Sequence, residues 1–196
     1  MHGYAYGPSY TGFTLLEVLI TIVIVALGLL GLGALHVRAM RDTTSAYLRS
    51  EATVLTQDIA DRIRANLPYV RATPPSGNTT PLPYILELEQ FSALAQPTLL
   101  CLSAYCTADQ LETADLWQWR EAVRSRLPSG QGKIVISSCV APATGDSTEC
   151  TTAAIRTWTI TVYWDERIDP NKPEANCPAP HPEHPLFACL RVSVRP

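Results

Sequence analysis

The feature that most constrains the fold of this chain is one long apolar run near the N-terminus. From Val18 to Leu35 there is no charged side chain, and Thr21 is the one strongly polar residue. Counted from Phe13, the segment would rise roughly 34 Å as a helix at ~1.5 Å per residue, enough to cross a ~30 Å hydrocarbon core. The run therefore predicts a single membrane span, while the rest of the chain has a mixed, soluble composition.

Chain length and charge limit what can follow the span. The 196 residues leave room for one globular domain besides an anchor. The 15 basic and 18 acidic residues form no dense basic patch that would attract phosphates. We therefore expect no nucleic acid partner.

The segment before the apolar run is unlike a secretory signal peptide. Its twelve residues are small, polar and aromatic, and they end at Gly12. A signal peptide is cut after its apolar region, at small residues of the Ala-x-Ala kind. Here Leu35 leads instead into His36 and Val37 with no such site, so the pattern does not favour cleavage at that end.

Glu17 is the unusual residue of this region, because a carboxylate beside a membrane span disfavours insertion. The free-energy cost reaches ~3 kcal/mol at the middle of the bilayer and is smaller near an end. Two interpretations follow from the residue alone. Either Glu17 has a functional partner, or it lies among the lipid headgroups without one.

The sequence GFTLLEVL at 12–19 resembles the prepilin cleavage motif of type IV pilins and type II secretion pseudopilins. The resemblance implies that prepilin peptidase cuts between Gly12 and Phe13 on the cytoplasmic side and N-methylates Phe13. It also implies that the apolar helix stays attached, and that Phe13, Thr14 and Glu17 take part in subunit assembly. The leader departs from the usual pattern because it contains no Lys or Arg, whereas Arg38 and Arg41 follow the span.

The resemblance also gives Glu17 a physical task. In a filament core the helices bundle away from water, and the new amino group of Phe13 needs an anionic partner there. Glu17 of a neighbouring subunit can supply it, and the loss of either member would leave a costly unpaired charge. Such a buried pair would also set the register between subunits.

Beyond Leu35 the apolar pattern becomes one-sided, which predicts that the same helix continues to about Asn66. Asp58 and Arg62 are expected on its exposed side as an i,i+4 pair. Pro68 is expected to end it. The apolar positions recur at steps of three or four: Leu48, Ala52, Leu55, Ile59, Ile63 and Leu67.

Two stretches of this half, 45–50 and 58–66, resemble the minor pilins of the PilV type, also called type IV pilus modification proteins. That resemblance implies a minor pilin that initiates pilus assembly or lies at the pilus tip, and so serves twitching motility and adhesion. The implied partners are other minor and major pilins, prepilin peptidase and the inner-membrane pilus assembly machinery. The alternative is a minor pseudopilin of a type II secretion system, which shares the N-terminal motif.

The resemblance and the patterns together predict four segments and an α+β fold of the type IV pilin kind. The chain would start in the cytoplasm, cross the bacterial inner membrane once and place its head in the periplasm, from which it enters a filament. The segments are a leader at 1–12, a membrane or filament-core half-helix at 13–35, an amphipathic half-helix at 36–67 and a head at 68–196.

Within the head, Thr107 and Asp109 provide a cap and an acidic first turn for a second helix that runs to about Leu127. Three strands are expected after it. In the middle strand Trp and aliphatic residues alternate with Thr and Tyr, which predicts a half-buried strand whose apolar face packs on the long helix. The strand ranges are 133–140, 156–165 and 187–194.

Six cysteines follow the span, an even number that favours disulfides in an exported domain. Local pairing would join Cys139 to Cys150 and Cys177 to Cys189, with Cys101 and Cys106 left over, but spacing alone does not choose among fifteen connectivities. Metal binding by Cys177, His181, His184 and Cys189 is the competing interpretation. Because their spacing lacks a compact pair of ligands, we expect no metal and no cofactor.

The head shows no pattern typical of an enzyme. It lacks the nucleophile elbow, the zinc-binding helix and the phosphate-binding glycine loop. Asp165 and Glu166 are neighbouring carboxylates, but at a strand end a solvated turn explains them. A filament subunit is therefore favoured over a tip adhesin and over a membrane-tethered enzyme.

Overall fold

The computed structural model describes residues 12–71, 82–102, 105–140, 155–166 and 187–195. The chain divides into two compact units, one up to Thr44 and one from Ser45 onward. A long apolar helix, further helices and an antiparallel sheet confirm the predicted α+β class. The elements are α1 (Leu15–Ala65), α2 (Leu67–Arg71), α3 (Leu88–Ala93), α4 (Ala108–Arg126), β1 (Gln131–Val140), β2 (Ile155–Asp165) and β3 (Phe187–Val194).

The first unit consists of the N-terminal part of α1, which begins at Leu15, two residues later than predicted. All residues from Gly12 to Thr44 are exposed. By length and hydropathy α1 contains a segment able to cross a membrane. This helix fits membrane anchoring.

The end of α1 differs in detail from the prediction. The helix ends at Ala65, and the backbone carbonyl of Asn66 accepts hydrogen bonds from the amides of Tyr69 and Val70 at the start of α2. Pro68 therefore does not stop a helix but lies in the first turn of a new one. Proline suits that turn because the amide hydrogen it lacks would have no partner within the helix.

The three strands form one antiparallel sheet in the order β1-β2-β3. The bounds of β3 agree with the prediction, while β1 and β2 begin two residues and one residue earlier. The expectation that β2 is half-buried is wrong, because Thr159, Thr161 and Tyr163 are buried as fully as the apolar residues between them. As the central strand, β2 has the long side chains of Lys133 and Arg191 opposite Thr161 on either side.

One hydrophobic cluster in the second unit joins α1, α4 and the apolar face of the sheet. The indole nitrogen of Trp119 on α4 donates to the backbone carbonyl of Leu55 on α1 at 2.9 Å. The ring of Trp119 meets Phe91 edge-on, with 5.8 Å between the centroids, and it also covers Gly132, where a Cβ atom would overlap it. The indole of Trp119 therefore packs α4 against both α3 and the start of β1.

A polar network crosses the same core and corrects the expectation for Arg62. This residue is not simply on the exposed side of α1: it bonds Asp58 at 3.0 Å and also the buried Asp115 of α4 at 2.9 Å. The hydroxyl of Tyr84 donates to the other oxygen of Asp115 at 2.7 Å, and the amide nitrogen of Asn66 donates to the Tyr84 hydroxyl at 3.2 Å. Helix α1, the segment before α3 and helix α4 therefore share one set of hydrogen bonds.

Candidate subunit assembly site

The residues of the proposed cleavage and assembly motif lie together at the start of α1. Gly12, Phe13 and Thr14 precede the helix, and Glu17 lies in its first turn. The side chain of Phe13 is 85% exposed. The peptide bond between Gly12 and Phe13 is therefore not enclosed by the described part of the chain.

Thr14 and Glu17 are linked by the geometry of a helix N-cap. The hydroxyl of Thr14 accepts a hydrogen bond from the amide of Glu17 at 3.2 Å, and the carbonyl of Thr14 accepts from the same amide at 3.1 Å. A threonine followed three residues later by a glutamate is the spacing of a capping box. The carboxylate of Glu17 also lies near the positive end of the helix dipole. Sequence reasoning missed this relationship, although the spacing Thr-x-x-Glu would have revealed it.

The apolar side chains that follow Glu17 have no packing partner within the described residues. Those of Leu19, Leu30 and Leu35 are 62%, 70% and 66% exposed. At Gly28 and Gly33, a Cβ atom would meet nothing within 4 Å. An apolar surface of this extent is typical of a site that contacts lipid or other proteins.

Three of the six cysteines are seen to be disulfide-bonded in the described part of the chain. Cys101 and Cys106 are joined to each other, and Cys189 is disulfide-bonded. The side chain of Cys139 and the whole of Cys150 and Cys177 lie outside the described residues, as do His181 and His184. Among the described residues, no group of three or more His, Cys, Asp or Glu side chains could hold a metal ion.

The adjacent acids Asp165 and Glu166 have different surroundings in the structure. Glu166 accepts hydrogen bonds from the indole nitrogen of Trp164, at 3.1 Å, and from the hydroxyl of Ser45 on α1. Asp165 is exposed, and its amide donates to the carbonyl of Pro128 at 2.9 Å. The Glu166 carboxylate thus joins the end of β2 to α1, a structural role rather than the solvated turn that was expected.

Among the described residues of the head, Tyr84 has a strongly perturbed electrostatic environment. Burial, with the hydrogen bond to Asp115, raises the pKa of Tyr84 far above its ordinary value. Burial also raises the pKa of Glu112, whose carboxylate accepts from the backbone amide of Tyr84 at 2.5 Å. Perturbed groups can mark a catalytic site. Here Tyr84 bonds Asp115 and Asn66, and Glu112 bonds the backbone of Tyr84. Their arrangement supports a fixed junction between α4 and the segment before α3.

A separate cavity of about 360 Å³ lies where α3, the end of α4 and the start of β1 meet. Arg124 is the one ionisable residue among those that line it: Phe91, Ser92, Arg124, Ser129, Gly130 and Gln131. None of these described lining residues carries a carboxylate.

The comparison with known proteins finds a family match near the N-terminus. Residues 8–33 match the family described as the prokaryotic N-terminal methylation motif. No curated protein and no solved structure matches the chain. The matched segment contains Gly12, Phe13 and Glu17 together with most of the exposed apolar surface of α1.

The motif implies processing by prepilin peptidase and a context of pilus assembly, and it suggests a structural rather than an enzymatic protein. Membrane anchoring fits both the motif and the long apolar helix. The chain thus carries a prepilin-type methylation motif on an exposed apolar helix, which supports a place in the family of type IV pilins and pseudopilins.

Proposed function

We propose that this chain is a minor pilin of the type IV pilus, of the PilV type, which acts when assembly is initiated or at the pilus tip. The observation that carries the proposal is the placement of Glu17. It is the one acid in the first turn of a helix whose following residues, through Leu35, are exposed and almost all apolar.

In this proposal the precursor is held in the inner membrane by α1, with its head in the periplasm. Prepilin peptidase cuts between Gly12 and Phe13 and methylates the new amino group of Phe13. Thr14 contributes by capping the helix that presents Glu17. The exposed apolar surface then exchanges lipid for the helices of other minor and major pilins.

The pairing of Glu17 with the amine of a neighbour's Phe13 follows from charge and burial. Each charge would be costly alone among packed apolar helices, and the two together offset that cost when they form a hydrogen-bonded pair. A subunit docked in a wrong register would leave both charges unpaired. The pair therefore selects one register among the many that an apolar surface would otherwise allow.

The proposal is tested by identifying the N-terminal peptide of the mature protein by mass spectrometry. Expression with prepilin peptidase should give N-methylated Phe13 as the first residue, and expression without it should give the intact leader. Gly12→Val should block the cut, while Thr11→Ala, a matched change one residue away, should leave it intact. A mature protein that begins after Leu35, or that keeps its leader with the peptidase present, would contradict the scheme.

A deletion strain separates the minor pilin from its alternatives. Loss of surface pili and twitching, restored by the wild-type gene, supports the pilus role. Normal pili with impaired secretion through a type II system would favour the pseudopilin, and normal assembly with lost surface binding would favour a tip adhesin. Unchanged pili, motility, secretion and binding would overturn the proposal.

A further inference from the structure

We propose that Arg38 and Arg41 form a binding site for the phosphates of anionic phospholipid headgroups at the outer boundary of the membrane span. This inference rests on the proposed function, because it requires that α1 be anchored in a bilayer before assembly. It adds a specific ligand class to a segment to which the pilin motif at 8–33 assigns no role.

The position of the two arginines along α1 matches the thickness of a bilayer. From Glu17 to Arg38 the helix contains no other ionisable residue except His36. The rise between these two positions is roughly 32 Å at ~1.5 Å per residue, close to a hydrocarbon core of ~30 Å. When Glu17 lies at one boundary, Arg38 therefore lies at the other, and Arg41 lies about one turn further out.

The two guanidinium groups are available to a ligand. Both residues are exposed, and at i,i+3 they share one face of the helix. Asp42 is four residues after Arg38, but the described residues include no ion pair between them or to Arg41. Asp42 lies about 6 Å further from the span than Arg38 at ~1.5 Å per residue, so it is the outermost of the three charges.

The chemistry of guanidinium favours phosphate as the ligand. Arginine presents a planar set of donors that can bind phosphate oxygens in a bidentate manner. Its aliphatic stem can remain against the acyl chains while the head reaches the polar layer. A lipid is favoured over free phosphate because the site is continuous with the exposed apolar surface from Val18 to Leu35.

The site would compensate for a weakness in how the chain encodes its position. The first twelve residues contain no Lys or Arg, so they supply little of the positive charge that normally holds a cytoplasmic end in place. An interaction with anionic lipid on the other side would fix the depth of the helix instead. The loss of this interaction would then accompany the transfer of the subunit from bilayer to filament.

Native mass spectrometry of the full-length chain, released from membranes and mixed with phosphatidylglycerol and phosphatidylcholine, tests the site. The wild type should retain phosphatidylglycerol preferentially, and Arg38→Gln/Arg41→Gln should lower that preference on the order of tenfold. Arg38→Lys/Arg41→Lys keeps the charge but loses the bidentate donors, so it should retain only part of the preference. The control Arg71→Gln/Arg124→Gln, which removes the same charge from two exposed residues of the second unit, should behave as wild type.

Equal preference in the wild type and Arg38→Gln/Arg41→Gln would overturn the inference, as would an equal loss in the control, since a general effect of charge would then suffice. Displacement of the lipid by an equal concentration of inorganic phosphate would also overturn it. These results are distinguishable from a failure of the proposed function. A chain that is cut to methyl-Phe13 and stays in the membrane fraction but shows no lipid preference contradicts the site alone.

Discussion

The guanidinium of Arg62 donates to the buried carboxylate of Asp115 at 2.9 Å, and this bond joins two helices that are far apart in sequence. Arg62 also holds Gln118 at 2.9 Å on the same face of α4. The bonds lie beside the apolar cluster rather than in water, because the side chain of Asp115 is 8% exposed. Removal of either partner therefore leaves a desolvated polar group behind.

We expect Arg62→Ala to lower the free energy of unfolding of the head by about 2 kcal/mol, since a buried carboxylate loses its charged partner. Thermal unfolding of the full chain in detergent, followed by near-ultraviolet circular dichroism, measures this. Arg64→Ala removes the exposed pair with Asp61 and should cost less than about 0.5 kcal/mol. Equal losses in the two variants would contradict the assignment.

Gly132→Ala should destabilise the head by about 1–3 kcal/mol, as expected when a core is overpacked. The added Cβ would lie 3.0 Å from Phe91 and would overlap the ring of Trp119. The same measurement on Gly33→Ala, where the new atom meets nothing within 4 Å, should show an unchanged head. A tolerated Gly132→Ala would mean that the indole can move.

The raised pKa of Glu112 predicts how stability varies with pH. Because burial raises this pKa above 4.5, the folded state binds the proton more tightly than the unfolded state does. The stabilising contribution is complete below pH 4.5 and is lost as pH rises through the folded-state pKa. Glu112→Gln cannot ionise, so its stability relative to wild type should increase over that interval.

Urea unfolding at a series of pH values measures the effect of Glu112→Gln. The matched variant Glu89→Gln changes an exposed glutamate on α3 and should show no such trend. A difference between Glu112→Gln and wild type that stays constant with pH would refute the predicted linkage.

Glu17→Gln tests whether the charge of this residue is needed for assembly. Glutamine keeps the backbone amide that donates to Thr14 but carries no charge, so helix α1 should be retained while incorporation into pili is strongly reduced. Immunogold labelling and immunoblots of sheared pili measure the incorporated fraction. Glu17→Asp keeps the charge and should retain more incorporation. Full incorporation of Glu17→Gln would contradict the proposed charge pair.

Peptide mapping without reduction should recover Cys101 linked to Cys106. Replacing both by Ser should lower stability by about 2 kcal/mol, the loop-closure contribution expected for a short ring. The pairs Cys139 with Cys150 and Cys177 with Cys189 remain predictions. Peptides that join Cys189 to a cysteine other than Cys177 would contradict the second of these two pairs.

Much of the fold could be predicted because it depends on local patterns. The helical repeat from Leu48 to Ile63 identified the buried face of α1, and Thr107 with the acidic turn after it located the start of α4. The alternation in 156–165 identified β2. Each signal is contained in fewer than about twenty residues, within the range where periodicity is informative.

The wrong predictions concern residues whose environment is set by parts of the chain that their local sequence does not reveal. Whether Arg62 faces water depends on Asp115, and nothing near Arg62 in the sequence indicates that α4 packs there. The burial of Thr161 depends on both neighbouring strands. Pro68 was misread because its effect depends on whether the helix continues or restarts, a choice made by the carbonyl of Asn66.

The candidate site was predicted from its motif, but its geometry was not. The match at 8–33 rests on residue identities that a sequence displays directly. The cap formed by Thr14 requires the backbone conformation at the helix start, which the resemblance alone does not describe.

The exposed stretch from Phe13 to Leu35 has a consequence for how this chain tolerates change. Its apolar side chains are exposed, so packing inside the subunit places little demand on their shapes. A library of apolar exchanges there, scored once for folding of the head and once for incorporation into pili, would separate the two demands. Folding of the head should be unaffected by the exchanges. Every position at which an exchange reduces incorporation into pili would mark a contact made outside the subunit.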